Sequence, residues 1–384
     1  MRILLVSSGS GSRGGGEIFL DYLGGALAAR GHQVITWMPA HARMNELASQ
    51  CAKFSRVVRA EFRNTYDYRS RSLATLLNAG LSNSIARQWA DLKPDVIHIN
   101  KQNLEDGLDL LRAARLSGHP SVCTIHLTQT ARYLRARAAT LRDLVSRWEL
   151  RKFEGGFVAV QDTRRDELSS FLGSEAKTRT IFNGVPQVDP GQRHGLRSAM
   201  RAELKIAPDQ LLIVGVGRLV PQKRPFAFLE VARKLHEQYP HVRFVWVGDG
   251  ELSGEWRAAI ARDGLSDVVF WTGWKSDVSP YLAAADLLLH TAEYEGLPFA
   301  LIEAMSMGVP CAISRSVASE LPFLNARNAI FHDDAGRLEY FVCHPQALRD
   351  VGETGRVLAG ELFSDHAMAA SYEALYAEQV AAGG

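Results

Sequence analysis

The chain has 384 residues, 46% of them hydrophobic and 22% charged, with a formal net charge of +2. Its length exceeds one ordinary core, so two domains are expected, and its composition is that of a soluble globular protein rather than a disordered one. The near-neutral charge, with no recognised binding motif, argues against nucleic acid as a partner, and no apolar run reaches the roughly 18 residues of a membrane span.

The opening MRILLVSS is short for a signal peptide and lacks its flanks, which points to a cytoplasmic protein. It reads as a buried strand at 2–8, followed by GSGSRG (9–14), a match to the dinucleotide fingerprint G-x-G-x-x-G. That fingerprint expects a carboxylate at the end of the second strand to hold a ribose. The second strand, 33–37, instead runs into TWMPA, which leaves NADP only His41 and Arg43. Further strands are expected at 95–99, 121–125, 157–161 and 178–182, with His126 following the strand SVCTI. The segment 131–155 interleaves Arg132, Arg135, Arg137, Arg142, Arg147, Arg151 and Lys152 with Tyr133, Leu134, Leu141, Leu144, Val145, Trp148 and Phe153. Such a helix can rest on anionic lipid, meet an acidic acceptor, or pack into a core with a solvated basic face.

The stretch VPQVDPGQRHG (185–195) is rich in Pro and Gly and aperiodic, so it reads as an interdomain linker. Beyond it, strands are expected at 211–216, 242–247, 268–272, 286–290 and 310–313, and a last helical pattern at 365–380. Strands alternating with helices imply an α/β protein with two doubly wound parallel sheets. Charge divides between the halves: residues 1–185 hold 26 Lys plus Arg against 17 Asp plus Glu, and the remainder 18 against 25. Cys51, Cys123, Cys311 and Cys343 are scattered without a C-x-x-C pair, so they read as reduced and structural.

Three segments carry candidate chemistry. VGVGRLVPQKRP (214–225) ends an apolar strand in a turn bearing Arg218 and Lys223, cations suited to a diphosphate beyond the strand's carboxyl end. FVWVGDGEL (244–252) places Gly248 and Gly250 in a turn where backbone could approach a ligand, although ordinary turn chemistry serves equally well. EGLPFALIE (295–303) sets Pro298 at a first helical position, so the amides of Phe299, Ala300 and Leu301 should be unpaired and attract phosphate. Glu303, one turn on, would accept hydrogen bonds from a vicinal diol such as ribose, while Glu295 stays in the loop facing the adjoining sugar. The plain alternative for each segment is a solvated turn or helix start. There is no D-x-D metal motif; Asp333 and Asp334 adjoin but come late. Neither metal nor cofactor is therefore expected, and Arg218, Lys223 and the helix amides must neutralise the leaving group.

Taken together, GGGE (14–17), CTIHLT with His126, FNGVP (182–186), GRLVPQK (217–223), GDGEL (248–252) and the E-x7-E segment running to EAMSMGVP (303–310) resemble the retaining GT-B glycosyltransferases of family four. The resemblance covers most of the chain and implies two Rossmann-like domains facing a cleft. An acceptor-side domain would span 1–185, a sugar-nucleotide domain 186–364, and a helix at 365–384 would return to the first domain. It also implies that Gly15 and Gly16 approach phosphates and acceptor, and that His126 contacts the donor sugar. Arg218 and Lys223 would bind the diphosphate, Glu295 the sugar, and Glu303 the ribose. The implied partners are a nucleotide-sugar donor and a hydroxyl acceptor; the basic first half and the Arg-rich segment 131–155 add the expectation of a lipid-linked or anionic acceptor and of peripheral contact with a membrane's inner face. One departure stands out: many members carry G-G-x-x-E in the turn after the strand that follows the E-x7-E helix. Here the sequence reads SRSVASEL (314–321), keeping Glu320 without the glycines. Two rival readings stay open, an NAD(P)-dependent Rossmann oxidoreductase and a non-catalytic sugar-nucleotide-binding protein.

Overall fold

The computed structural model describes residues 1–9, 14–77, 79–173 and 178–383. It divides into two compact units, Met1–Gly184 with Asp365–Gly384, and Val185–Ser364. The first unit is a parallel sheet of β1 (Arg2–Ser7), β2 (Gln33–Pro39), β3 (Arg56–Ala60), β4 (Val96–Lys101), β5 (Ser121–Ile125), β6 (Gly156–Ala159) and β7 (Thr178–Thr180). Its spatial order is β3-β2-β1-β4-β5-β6-β7. Continuous burial along β1 and β4, including Leu4, Val6, Ile97 and Ile99, follows from helices covering both faces of a parallel sheet.

The second unit repeats the plan with β8 (Leu211–Val216), β9 (Val242–Val247), β10 (Val269–Trp271), β11 (Leu287–His290), β12 (Cys311–Ile313) and β13 (Ile330–Phe331), ordered β10-β9-β8-β11-β12-β13. Its core centres on Phe228, Trp246 and Trp256, with the Phe228 and Trp246 ring centroids 5.1 Å apart in an edge-to-face arrangement. In both sheets the strand order reverses beside the first strand, between β1 and β4 and between β8 and β11. Those two crevices are where a doubly wound sheet presents its carboxyl ends to a ligand.

Strands β3 and β13 were not expected. The first is a half-buried edge strand whose Arg56 and Arg59 interrupt an apolar pattern, and the second is two residues long. The expected linker is also corrected, because a helix Pro190–Glu203 begins inside it. Asp189 caps that helix by accepting from the Gln192 amide at 3.1 Å, and Pro190 occupies its first turn, where a missing N–H is no loss. Local composition hid a helix start as a breaker cluster.

The final helix, Asp365–Gly383, packs on the first unit. The Tyr376 hydroxyl lies 2.6 Å from His98 Nδ1, and that of Tyr372 lies 2.8 Å from Thr124 Oγ1. His98 Nε2 is 2.8 Å from the same Thr124 oxygen, so one buried polar chain joins the helix to β4 and β5. Burial pushes the His98 imidazole down to about 3 and, with His126 nearby, keeps it neutral. Cys51, Cys123 and Cys311 are buried free thiols, whereas Cys343 is exposed.

Candidate active site

The candidate residues fall into two groups, one at each reversal of strand order. In the second unit, Arg218 and Lys223 follow β8, and His290 and Glu295 end or follow β11, so the pairing of β8 with β11 brings these chain-distant turns together. The turn Pro221–Lys223 is a short 3-10 helix closed by Arg224 in the left-handed region at φ 47°. Thr291 Oγ1 donates to the Lys223 carbonyl at 2.9 Å, Gln222 Nε2 donates to the Tyr294 carbonyl at 3.0 Å, and the Glu293 amide donates to the Gln222 carbonyl at 2.9 Å. These bonds lock the two turns to each other.

Lys223 Nζ bonds directly to Glu295 Oε1, and His290 Nε2 stands 3.4 Å from the same oxygen. Burial alone would raise the Glu295 carboxyl, but the Lys223 ammonium and His290 outweigh it and hold the group at about 2. Glu295 is therefore an ionised, buried carboxylate. Arg218 differs: it is half-buried and makes no side-chain hydrogen bond or ion pair among the described residues, which leaves its guanidinium open to an anion. His290 went unrecognised in the sequence analysis, although its place as the last residue of β11, in DLLLH, was a usable signal.

Two expectations need correction. The helix behind Glu295 starts at Phe299, not Pro298, which takes the capping position with φ −71° and ψ 124°. The carbonyl of Pro298 accepts from the Leu301 amide at 3.1 Å and from the Ile302 amide at 3.3 Å, so Leu301 offers no open N–H. Ala300 remains in the first turn of that helix, and Glu303 sits buried on its second. Gly248 is needed for a close approach, but to protein: at φ 138°, a Cβ there would stand 2.0 Å from the Gly217 carbonyl oxygen. Gly250 is confined in the same way, with Leu219 O 2.4 Å from a Cβ at that position. The two indoles complete the stack, Trp246 Nε1 donating to Gly217 O at 3.1 Å and Trp271 Nε1 to Gly248 O at 2.7 Å. The divergent turn SRSVASEL forms the helix Arg315–Glu320, capped by Ser314, whose Oγ donates to the Ala292 carbonyl at 3.0 Å.

In the first unit, Gly15 opens the helix Gly15–Ala29 directly after β1. A Cβ on Gly16 would lie 1.7 Å from Gln102 Oε1, so a side chain there requires the Gln102 amide to move aside. Asn100, at the end of β4, donates through Nδ2 to the Gly16 carbonyl at 2.7 Å and presents Oδ1 to His126 Nε2 at 2.7 Å. Because the first bond fixes the amide's orientation, Nε2 carries the imidazole proton and Nδ1 is the acceptor. Burial lowers His126 to about 4, against a small upward pull from Asp106, so the ring is neutral at physiological pH. Asn100 was missed in the sequence because an asparagine inside a buried strand carries no periodicity signal. Of the fingerprint segment GSGSRG, Ser10 to Arg13 lie outside the described residues.

Residues 197–321 match the family "Glycosyl transferases group 1", and residues 13–187 match "Glycosyltransferase Family 4". The chain belongs to the family-four glycosyltransferases. It is 28% identical over 235 residues to the Escherichia coli UDP-Gal:alpha-D-GlcNAc-diphosphoundecaprenol alpha-1,3-galactosyltransferase, covering 58% of each chain. It is 31% identical over 170 residues to the Salmonella typhi Vi polysaccharide biosynthesis protein VipC/TviE, covering 44% of this chain and 29% of that one. The matches thus span between 29% and 58% of these relatives' length. Among solved structures, Anabaena HepE in complex with UDP-glucose superposes with a TM-score of 0.77 at 20% identity, covering 100% of both chains. Sucrose-phosphate synthase from Thermosynechococcus elongatus gives the same score, identity and coverage. The fold is GT-B, two parallel-sheet α/β domains.

Proposed function

We propose that this chain is a retaining hexosyltransferase that moves a sugar from a nucleotide diphosphate, UDP- or GDP-linked, to an acceptor hydroxyl in bacterial glycan or glycolipid synthesis. The observation that carries the reading is the convergence of an open Arg218, a lysine–carboxylate pair, Lys223 with Glu295, and His290 at the β8/β11 reversal. Cations at that point suit a diphosphate, and an ionised carboxylate beside them suits sugar hydroxyls. Support for a UDP donor and a lipid-linked acceptor comes from the E. coli relative, a galactosyltransferase acting between UDP-Gal and a diphosphoundecaprenol-linked sugar.

In this reading the acceptor oxygen attacks the anomeric carbon on the face from which the diphosphate departs. The C–O bond to phosphate breaks, and the departing phosphate oxygen takes the acceptor's proton. Arg218 and Lys223 offset the charge that develops on the diphosphate, without a divalent metal. Glu295 is drawn toward Lys223, which weakens it as a nucleophile, so its role is to accept hydrogen bonds from the sugar. Glu303 accepts from the ribose hydroxyls, and the amides of Phe299 and Ala300 lie beside the phosphates. Neutral His126 contacts the sugar through Nδ1, while Gly15 and Gly16 admit phosphate and acceptor.

The test is hydrolysis and transfer with a panel of UDP- and GDP-sugars, in EDTA and in Mg²⁺, with the product anomer read by NMR. Retained configuration and EDTA-resistant turnover are expected. An inverted product, or activity restored only by Mg²⁺, would overturn the corresponding part. No turnover together with NAD(P)H cofactor fluorescence would favour an oxidoreductase, and sugar-nucleotide binding without turnover a non-catalytic role.

A further inference from the structure

Ten large apolar side chains are exposed among the described residues, and five of them, Tyr133, Leu134, Leu141, Leu144 and Trp148, fall within one short stretch. That clustering separates them from the scattered apolar exposure normal for a soluble surface. Leu141, Leu144 and Trp148 are spaced by three and four residues on the helix Ala139–Arg151, so they form one stripe. Each is more than half exposed, at 53%, 57% and 51%, whereas Ser146, Glu149 and Leu150 turn inward. The sequence left open whether these leucines fill a core; they do not.

The neighbouring segment is fixed against the same helix. Asp143 accepts the amides of Ala131 at 2.7 Å and Arg132 at 3.1 Å, which holds Tyr133 and Leu134 near the helix start. Leu76, 53% exposed, lies on the adjoining Arg71–Leu77 segment, which Ser72 Oγ joins to the Arg142 carbonyl at 3.2 Å. Cations stand at the margin of this apolar area. Arg132, Arg135 and Arg137 are exposed and make no side-chain ion pair among the described residues. Lys152 lies over the Trp148 ring. By contrast, the Arg142 guanidinium is taken up by Glu105.

We propose that this face docks the protein on an anionic phospholipid bilayer, with Leu141, Leu144 and Trp148 entering the headgroup boundary and Arg132, Arg135 and Arg137 meeting lipid phosphates. An amphipathic helix with leucine and tryptophan on one side and arginines at its margin has the composition of an interfacial element. Tryptophan and tyrosine prefer the headgroup level, and clustered cations are attracted by the negative surface potential. A second copy of the chain is a poorer occupant, because a two-fold interface would set the same arginines against each other. The inference does not depend on the donor or on turnover, since binding is measured without any sugar nucleotide.

The experiment is cosedimentation of the full chain with phosphatidylglycerol/phosphatidylethanolamine vesicles and with phosphatidylcholine vesicles. Binding to the anionic vesicles at low salt is expected, with release at about 1 M salt, where the screening length falls to about 3 Å. Leu144→Ser with Trp148→Ser should reduce partitioning at least about tenfold. Arg132→Gln with Arg135→Gln and Arg137→Gln should abolish the preference for anionic over neutral lipid. All five side chains are exposed, and an unchanged urea midpoint verifies that each variant is folded. Equal binding to both vesicle types, binding to neither, or wild-type partitioning by the serine variant would overturn the proposal. A dimer in light scattering that the serine variant dissolves would give the face to a second copy instead.

Discussion

Replacing Glu295 by glutamine tests whether the buried pair with Lys223 holds the β8 and β11 turns together. The Glu295 carboxyl sits at about 2 against an ordinary 4.5. At roughly 1.4 kcal/mol per pH unit, that depression corresponds to about 3 kcal/mol of stability at neutral pH. Breaking one partner of a buried pair costs about 3–5 kcal/mol, so the two routes agree in size. Because the folded value lies below the unfolded one, the contribution is complete above about 4.5 and is lost as the pH falls toward about 2. Wild type should therefore exceed Glu295→Gln by about 3 kcal/mol at about pH 7 and by less than half of that at about pH 3. Urea unfolding followed by tryptophan fluorescence measures both gaps. A gap that stays constant across this window would show that ionised Glu295 is not what the fold stabilises.

Arg218→Ala should leave the urea midpoint within about 0.5 kcal/mol of wild type yet lower kcat at least tenfold, since its guanidinium makes no hydrogen bond or ion pair among the described residues, and removing one electrostatic donor costs about 2.7–4 kcal/mol in the transition state. Lys223→Ala should lower both kcat and stability, because it leaves Glu295 buried and unpaired; unchanged stability would refute the pairing. His98 and His126 sit at about 3 and about 4 against an ordinary 6.5, so the unfolded chain binds the extra protons and stability is lost as the pH falls below about 6.5. By about pH 5 each should cost roughly 2 kcal/mol, and His126→Gln should remove about half of that loss in urea midpoints taken from pH 7 downward. Asn100→Asp replaces the amide donor to Gly16 with a carboxylate beside His126; the His126 NMR titration should move up by at least about one pH unit, and an unmoved titration would refute the contact.

The alternation of apolar strands with helical patterns was sufficient to establish two doubly wound sheets, because a strand buried on both faces must be continuously apolar, as in LLIVGV and DLLLH. Turn chemistry at strand ends likewise marked Arg218, Lys223 and Glu295 as candidates, since ligands of such sheets gather there. Glu303 followed from helical spacing alone. Partnership was not legible. Lys223 and Glu295 are 72 residues apart in the chain, and only the parallel pairing of β8 with β11 sets one against the other. His290 and Asn100 became site residues for the same reason, each being the last or near-last position of a strand next to the reversal in strand order. Tertiary structure also decided which hydrogen bonds were spent: the Leu301 amide on Pro298, and the room at Gly248 on the Gly217 carbonyl. It decided, too, that Leu141, Leu144 and Trp148 face outward, since a period of 3.6 shows that a helix has an apolar side but not what lies against it.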